Sequence, residues 1–132
     1  MGCPANPTTR PPVEMPRSRA SRPPPVVRRG EVWWVAFDPT QGSEIRKTRP
    51  AIVLTADGLN RARRTVVVVP LSSRPHSQPP ILVPTPSAGD RSVAVCDQLR
   101  AVDKRRLSRR AGVLSPDDLR AVEEGTRRIL DL

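Results

Sequence analysis

The hydrophobic positions of this chain come in short bursts separated by turn-forming clusters, and the bursts read as strands. Residues 31–37 are aromatic and β-branched, with Trp33 and Trp34 adjacent and so directed to opposite faces. Residues 38–43 carry Asp38-Pro39 and Gln41-Gly42-Ser43, which is turn chemistry, and the charged run 44–49 extends that loop. A second strand covers 51–55, begun by Pro50 where a missing N–H is tolerated. Residues 57–64 form a polar connection with room for one helical turn. Residues 65–71 are an unbroken apolar run, as expected of a strand covered on both faces. After a loop at 72–80, a short strand at 81–84 ends in Pro84, which marks an edge. Residues 86–91 turn through Gly89-Asp90, and 92–96 form another strand. The stretch 98–107 is polar and mixed, with no predicted element, and 110–114 pairs as a last strand.

The C-terminus changes period. Ser115 is placed to cap a helix, Pro116 sits at its first position, and Asp117 and Asp118 suit its positive end. Leu114 and Leu119 have the spacing of a hydrophobic staple. Leu119, Val122, Ile129 and Leu130 fall on one stripe at helical spacing. The predicted class is mainly β: a small barrel of short strands closed by a C-terminal α-helix.

Composition separates the N-terminus from the rest. Residues 1–29 hold eight of the 17 prolines, and six arginines against one acid, Glu14. Proline fixes φ and removes donors, and so few apolar side chains cannot offset the entropy of ordering. Residues 1–29 are therefore expected to be a disordered tail, and 30–132 a single domain. No apolar run follows the tail's charges as a secretory signal requires, and none reaches the length of a membrane span. Cys3 and Cys96 are too few for a disulfide framework or a zinc site, which suits a cytoplasmic protein.

A formal charge of +10 points to a polyanionic partner, either nucleic acid or an anionic surface. Arginine far outnumbers lysine, present only as Lys47 and Lys104, so part of the bias is compositional. One histidine, His76, excludes a two-imidazole ribonuclease mechanism within one chain. Metal-ligand spacing and phosphate-cradling glycine loops are both missing, so no metal or cofactor is expected. With no tyrosine and one phenylalanine, a multi-base aromatic platform is not available, although one of the two tryptophans could stack. The loop ahead of Pro50 packs Glu44, Arg46, Lys47 and Arg49 into six residues. A guanidinium there can grip a phosphate bidentately, and the same run also reads as a solvated hairpin loop.

The order of motifs resembles a known family. Arg29-Gly30-Glu31-Val32-Trp33-Trp34, then Phe37-Asp38-Pro39-Thr40 and Gly42-Ser43-Glu44, then Arg49-Pro50-Ala51-Ile52-Val53-Leu54, is similar to the start of the MazF/PemK/Kid toxins of bacterial toxin–antitoxin pairs. Val69-Pro70-Leu71-Ser72-Ser73 and the block from Val95 through Asp97-Gln98 to Leu107 look like later signatures of that family. The likeness runs over about residues 28–132, with five blocks in order.

That resemblance implies an SH3-like barrel with a C-terminal helix, a homodimer, and a metal-independent endoribonuclease that cuts single-stranded RNA. It also implies a MazE-like antitoxin that blocks the RNA groove. The family's catalytic arginine falls on Arg49, its catalytic threonine on Ser72, and its loop glutamate on Glu44, as base or substrate contact. Serine keeps the hydroxyl donor and loses a methyl. Ile45 stands where the family often has glutamine, which bears on base preference. Arg46, Lys47, Thr48, Ser73, Arg74, His76 and Gln98 are the expected RNA contacts; Gln98 could equally cap backbone groups, and His76 could be a plain loop residue. The expected products are a 2′,3′-cyclic phosphate and a 5′-hydroxyl. Two further functions share the resemblance: a non-catalytic gyrase poison of the same fold, and a degenerate member that only binds RNA or antitoxin.

Overall fold

The computed structural model describes residues 23–37, 48–73 and 78–132. Its strands are β1 (Glu31–Ala36), β2 (Thr48–Val53), β3 (Thr65–Ser73), β4 (Leu82–Pro84), β5 (Ser92–Val95), β6 (Arg100–Asp103) and β7 (Leu107–Val113). A short helix α1 (Asp57–Ala62) links β2 to β3, and α2 (Pro116–Leu130) ends the chain. The seven strands form one antiparallel sheet in the order β4-β5-β3-β2-β1-β7, with β6 also paired to β3. The mainly β fold with a C-terminal helix is thus the observed one.

Alternation along the central strands divides the core in two. Trp33 and Val35 of β1, Ala51 and Val53 of β2, and Val66 and Val68 of β3 pack with Val27, Val102 and Leu107 on one face. Val32, Ile52, Val69 and Leu71 pack on the other, against Val83, Leu114 and Val122. The apolar run of β3 is therefore covered on both faces, as its unbroken hydrophobicity requires.

Helix α2 begins as its sequence dictates. The Ser115 hydroxyl accepts the Asp118 N–H at 3.1 Å, Pro116 occupies the first turn, and Leu119 packs beside buried Leu114. Gly125 lets the helix sit directly on the sheet, since a Cβ there would lie 2.9 Å from Val83 Cγ2 and 3.2 Å from Cys96 Sγ. Leu130, expected on the apolar stripe, is instead exposed, because the helix turns that position outward at its last turn.

Three boundaries differ from expectation. Packing starts inside the segment expected to be disordered: Val27 is in the core, the Arg28 N–H bonds the Glu31 carboxylate, and the Arg29 guanidinium pairs with Glu123 at 2.6 Å. One apolar side chain and two anchored arginines suffice there despite the poor local composition. Residues 100–103, read as part of a polar stretch, form β6 because the backbone completes the ladder of β3 while Val102 alone enters the core. Strand β7 starts three residues before the predicted strand, at Leu107.

Candidate nucleic-acid groove

A change in strand pairing creates the site. Strand β2 pairs with β3 through Val53↔Val68, Ile52↔Val69 and Ala51↔Pro70, and there the ladder ends. Pro50 and Pro70 have no N–H, so neither can donate across the pair. On its far edge β3 goes on to pair with β5, from Leu71↔Ala94 to Ser73↔Ser92. On its near edge, residues 71–73 part from β2. Strand β2 itself stays with β1, where Trp34 faces Pro50 and Val35 faces Arg49.

The parting opens a groove of about 420 Å³. Val32, Trp34 and Ala111 form one wall, Leu71, Ser72 and Ser73 the opposite one, with Pro50 at the split and the turn Ala88–Ser92 across the end. Ser72 is half-buried, and Ser73 is exposed. Beyond Ala51↔Pro70 the two strands carry Arg49 and Ser72, each two residues further along, with no ladder pairing between them. Arg49 is exposed, one residue before the groove-lining Pro50. A guanidinium and a hydroxyl thus lie just past the end of one ladder, Arg49 paired outward to Val35 and Ser72 to Val93. Such a pair can bind two oxygens of one phosphate.

The end wall is fixed by a polar brace. The Thr85 hydroxyl bonds the Ser92 hydroxyl at 3.0 Å, and the Thr85 N–H bonds the Ser92 carbonyl at 2.9 Å. Gly89 takes φ +150, a conformation that L side chains rarely adopt, and its carbonyl accepts the Ser92 N–H. The Ser87 hydroxyl and N–H both donate to Asp118 of α2, and the Ser115 N–H donates to the Ser87 hydroxyl at 3.0 Å. Arg91, on this turn, adds a cation to the groove wall.

Of the residues expected from sequence, Ser72 and Ser73 line the groove, and Arg49 is exposed beside groove-lining Pro50 without lining it itself. Thr48 is exposed one residue further along β2, opposite Ala36. Gln98 is exposed on the turn between β5 and β6, on the other edge of β3, and does not line the groove. Glu44, Arg46, Lys47, Arg74 and His76 lie outside the described residues. Arg91 and the Ser87–Asp118 brace were not foreseen; 31 residues separate the partners, and no local pattern links them. Cys96 is buried, and burial pushes its thiol above the usual range, which fits a core residue.

A small antiparallel β protein with a groove opened by a split strand pair, hydroxyls on one wall and Arg91 on its end turn is a defined class. The chain belongs to the family of PemK-like, MazF-like toxins of type II toxin–antitoxin systems, whose family model matches residues 28–130. It is 33% identical over 116 residues to endoribonuclease MazF9 of Mycobacterium tuberculosis, covering 81% of this chain and 98% of that protein. It is 37% identical over 83 residues to endoribonuclease PemK of Escherichia coli, covering 60% of this chain and 62% of that one. Among solved structures, a MazE–MazF complex of Deinococcus radiodurans superposes with a TM-score of 0.71 at 28% identity, covering 81% of this chain and 97% of that one. No helix among the described residues is long and apolar enough to cross a membrane.

Proposed function

We propose that this chain is the toxin of a type II pair, a cytoplasmic, sequence-specific endoribonuclease that acts on single-stranded RNA as a homodimer and is silenced by a MazE-like antitoxin covering the groove. The family match supports the toxin class, and the curated relatives named as endoribonucleases support the activity. The chemistry is supported by Arg49 and Ser72 each lying two residues beyond the last β2–β3 pair, Ala51↔Pro70, where the groove lined by Ser72 opens.

In this reading the RNA 2′-oxygen attacks the adjacent phosphorus, the P–5′-O bond breaks, and a 2′,3′-cyclic phosphate and a 5′-hydroxyl result. Arg49 binds the phosphate and neutralises the charge that builds on its oxygens; a guanidinium, never deprotonated at working pH, is suited to that role. Ser72 donates a hydrogen bond to a non-bridging oxygen. Glu44 takes the 2′-OH proton or contacts the substrate, and the leaving 5′-oxygen shares an Arg49 proton or takes one from water as it departs. Arg46, Lys47, Thr48, Ser73, Arg74 and His76 contact the RNA on either side of the cut, whereas Gln98, off the groove, is left to the backbone-capping role. The nucleophile is internal to the RNA and Arg49 and Ser72 stabilise the developing charge, so the reaction in this reading uses no metal. The basic segment ahead of the fold adds sequence-independent affinity, and its removal flattens the salt dependence of RNA binding.

The test is purified protein added to total RNA with and without excess EDTA, followed by mapping of the cut ends. Cleavage at a short recurrent sequence in both conditions, leaving 5′-hydroxyl ends, is expected. Binding without cleavage, or cleavage that EDTA abolishes, overturns the reading.

A further inference from the structure

We propose that Trp34 is a stacking residue for one RNA base beside the scissile phosphate, and that it sets affinity without choosing the recognition sequence. This rests on the groove being an RNA site, as argued above.

The chain has three large aromatic side chains, Trp33, Trp34 and Phe37. Two are committed elsewhere. Trp33 is buried on the far face of β1, with its indole N–H donated to the Glu31 carboxylate at 2.9 Å. Phe37 is buried, with the Arg100 guanidinium over its ring at 5.2 Å. Trp34 alone is half-buried, and it lines the groove on the wall opposite Ser72. Its strand partner in β2 is Pro50, the residue next to Arg49, so its ring stands within one strand position of the proposed phosphate site. On the other side its strand partner is Arg109 of β7, whose guanidinium lies over the indole at 5.7 Å from the ring centroid. That cation orients the ring and adds positive charge beside an anionic backbone.

An aromatic ring held in a cation-rimmed groove is the usual platform for an unpaired base. Every base offers a π-face, so stacking is tolerant of sequence and contributes affinity rather than base identity. The indole is apolar over most of its surface, and leaving it half-covered is costly unless a ligand completes the cover.

The experiment uses the full chain and a short RNA bearing its mapped cleavage site, with each position in turn replaced by an abasic nucleotide. One abasic position next to the cut should raise KM for the wild type by roughly tenfold, the factor expected for one lost base–aromatic stack. Trp34→Leu should raise KM on the intact RNA by a similar factor and be indifferent to that same abasic position, with the cleavage sequence unchanged. Trp34→Phe should recover most of the loss. A Trp34→Leu penalty that multiplies equally with every abasic substitution, or a changed cleavage sequence, overturns the proposal. Should Trp34→Leu fold poorly, tryptophan emission decides: RNA carrying a 2′-deoxy nucleotide at the cut quenches the wild type and leaves Trp34→Phe unquenched, whereas equal quenching contradicts the stack. Wild-type protein that cuts no RNA and binds none would instead sink the nuclease reading.

Discussion

Asp118 in the first turn of the C-terminal helix accepts both the backbone N–H and the hydroxyl of Ser87, which lies 31 residues earlier on the turn leading to the groove's end wall. The N–H bond is 2.7 Å long, and the carboxylate is nine-tenths buried. Through this pair the helix cap and the groove wall become one unit, because Ser115 caps the helix onto Asp118 and its own N–H reaches back to Ser87.

Asp118→Ala should therefore damage both stability and substrate binding. Removing a charged acceptor from two donors typically costs about 1–3 kcal/mol. The loosened Ser87–Ser92 turn should raise KM more than it lowers kcat, since Asp118 bonds Ser87 and neither Arg49 nor Ser72. Urea unfolding and steady-state cleavage check this together. An unchanged KM would mean that the turn is held by Thr85 and Ser92 alone.

Glu31 makes stability depend on acid. Burial alone would push its carboxyl up, but hydrogen bonds from Trp33 Nε1, the Arg28 N–H and the Arg110 guanidinium outweigh that and hold it below its ordinary value of 4.5. A group whose folded pKa is depressed stabilises the fold fully above its unfolded pKa, and that contribution is lost as pH falls through the folded value. Glu31→Gln should lower Tm at neutral pH and flatten its decline below about pH 4.5. Melting curves across that range test it; a variant with the wild-type acid slope would assign the decline to other carboxylates.

Gly125→Ala sets helix propensity against packing. Alanine gains roughly 1 kcal/mol over glycine inside an exposed helix. Here the added methyl would fall 2.9 Å from Val83 Cγ2 and 3.1 Å from the Pro80 carbonyl oxygen. Overpacking of that kind costs about 1–3 kcal/mol, so net destabilisation is expected. A denaturation midpoint equal to or above wild type would show that the helix can lift off the sheet without loss.

The parts of this fold that were legible in the sequence are those set by local chemistry. The cap at Ser115, the two-face burial of residues 65–71 and the turn at Gly89 all follow from residue type and spacing. Strand β6 was hidden because its membership rests on backbone pairing with β3, and only Val102 among its side chains is buried. Leu130 misled because an apolar residue at helical spacing in a last turn has no neighbour to bury it. At the site, Ser72 and Arg49 were found through the family's motif order. The groove that Ser72 lines forms where the β2–β3 ladder stops at Ala51↔Pro70, which no local pattern displays. Arg91 lines the end wall and Ser87 ties the turn before it to the C-terminal helix, so both roles emerge from tertiary structure.

The claim on which the rest depends is that Arg49 and Ser72 grip one phosphate from two parting strands. Single-turnover cleavage by the wild type, Arg49→Ala, Ser72→Ala and the double variant measures it most directly. Each single change should slow cleavage by roughly 10²–10³, the typical loss for one donor to a developing oxyanion. The double variant should fall well short of the product of the two losses, because residues acting as a unit are not additive. Two losses that multiply in full, or either single variant cutting at the wild-type rate, would contradict a shared site.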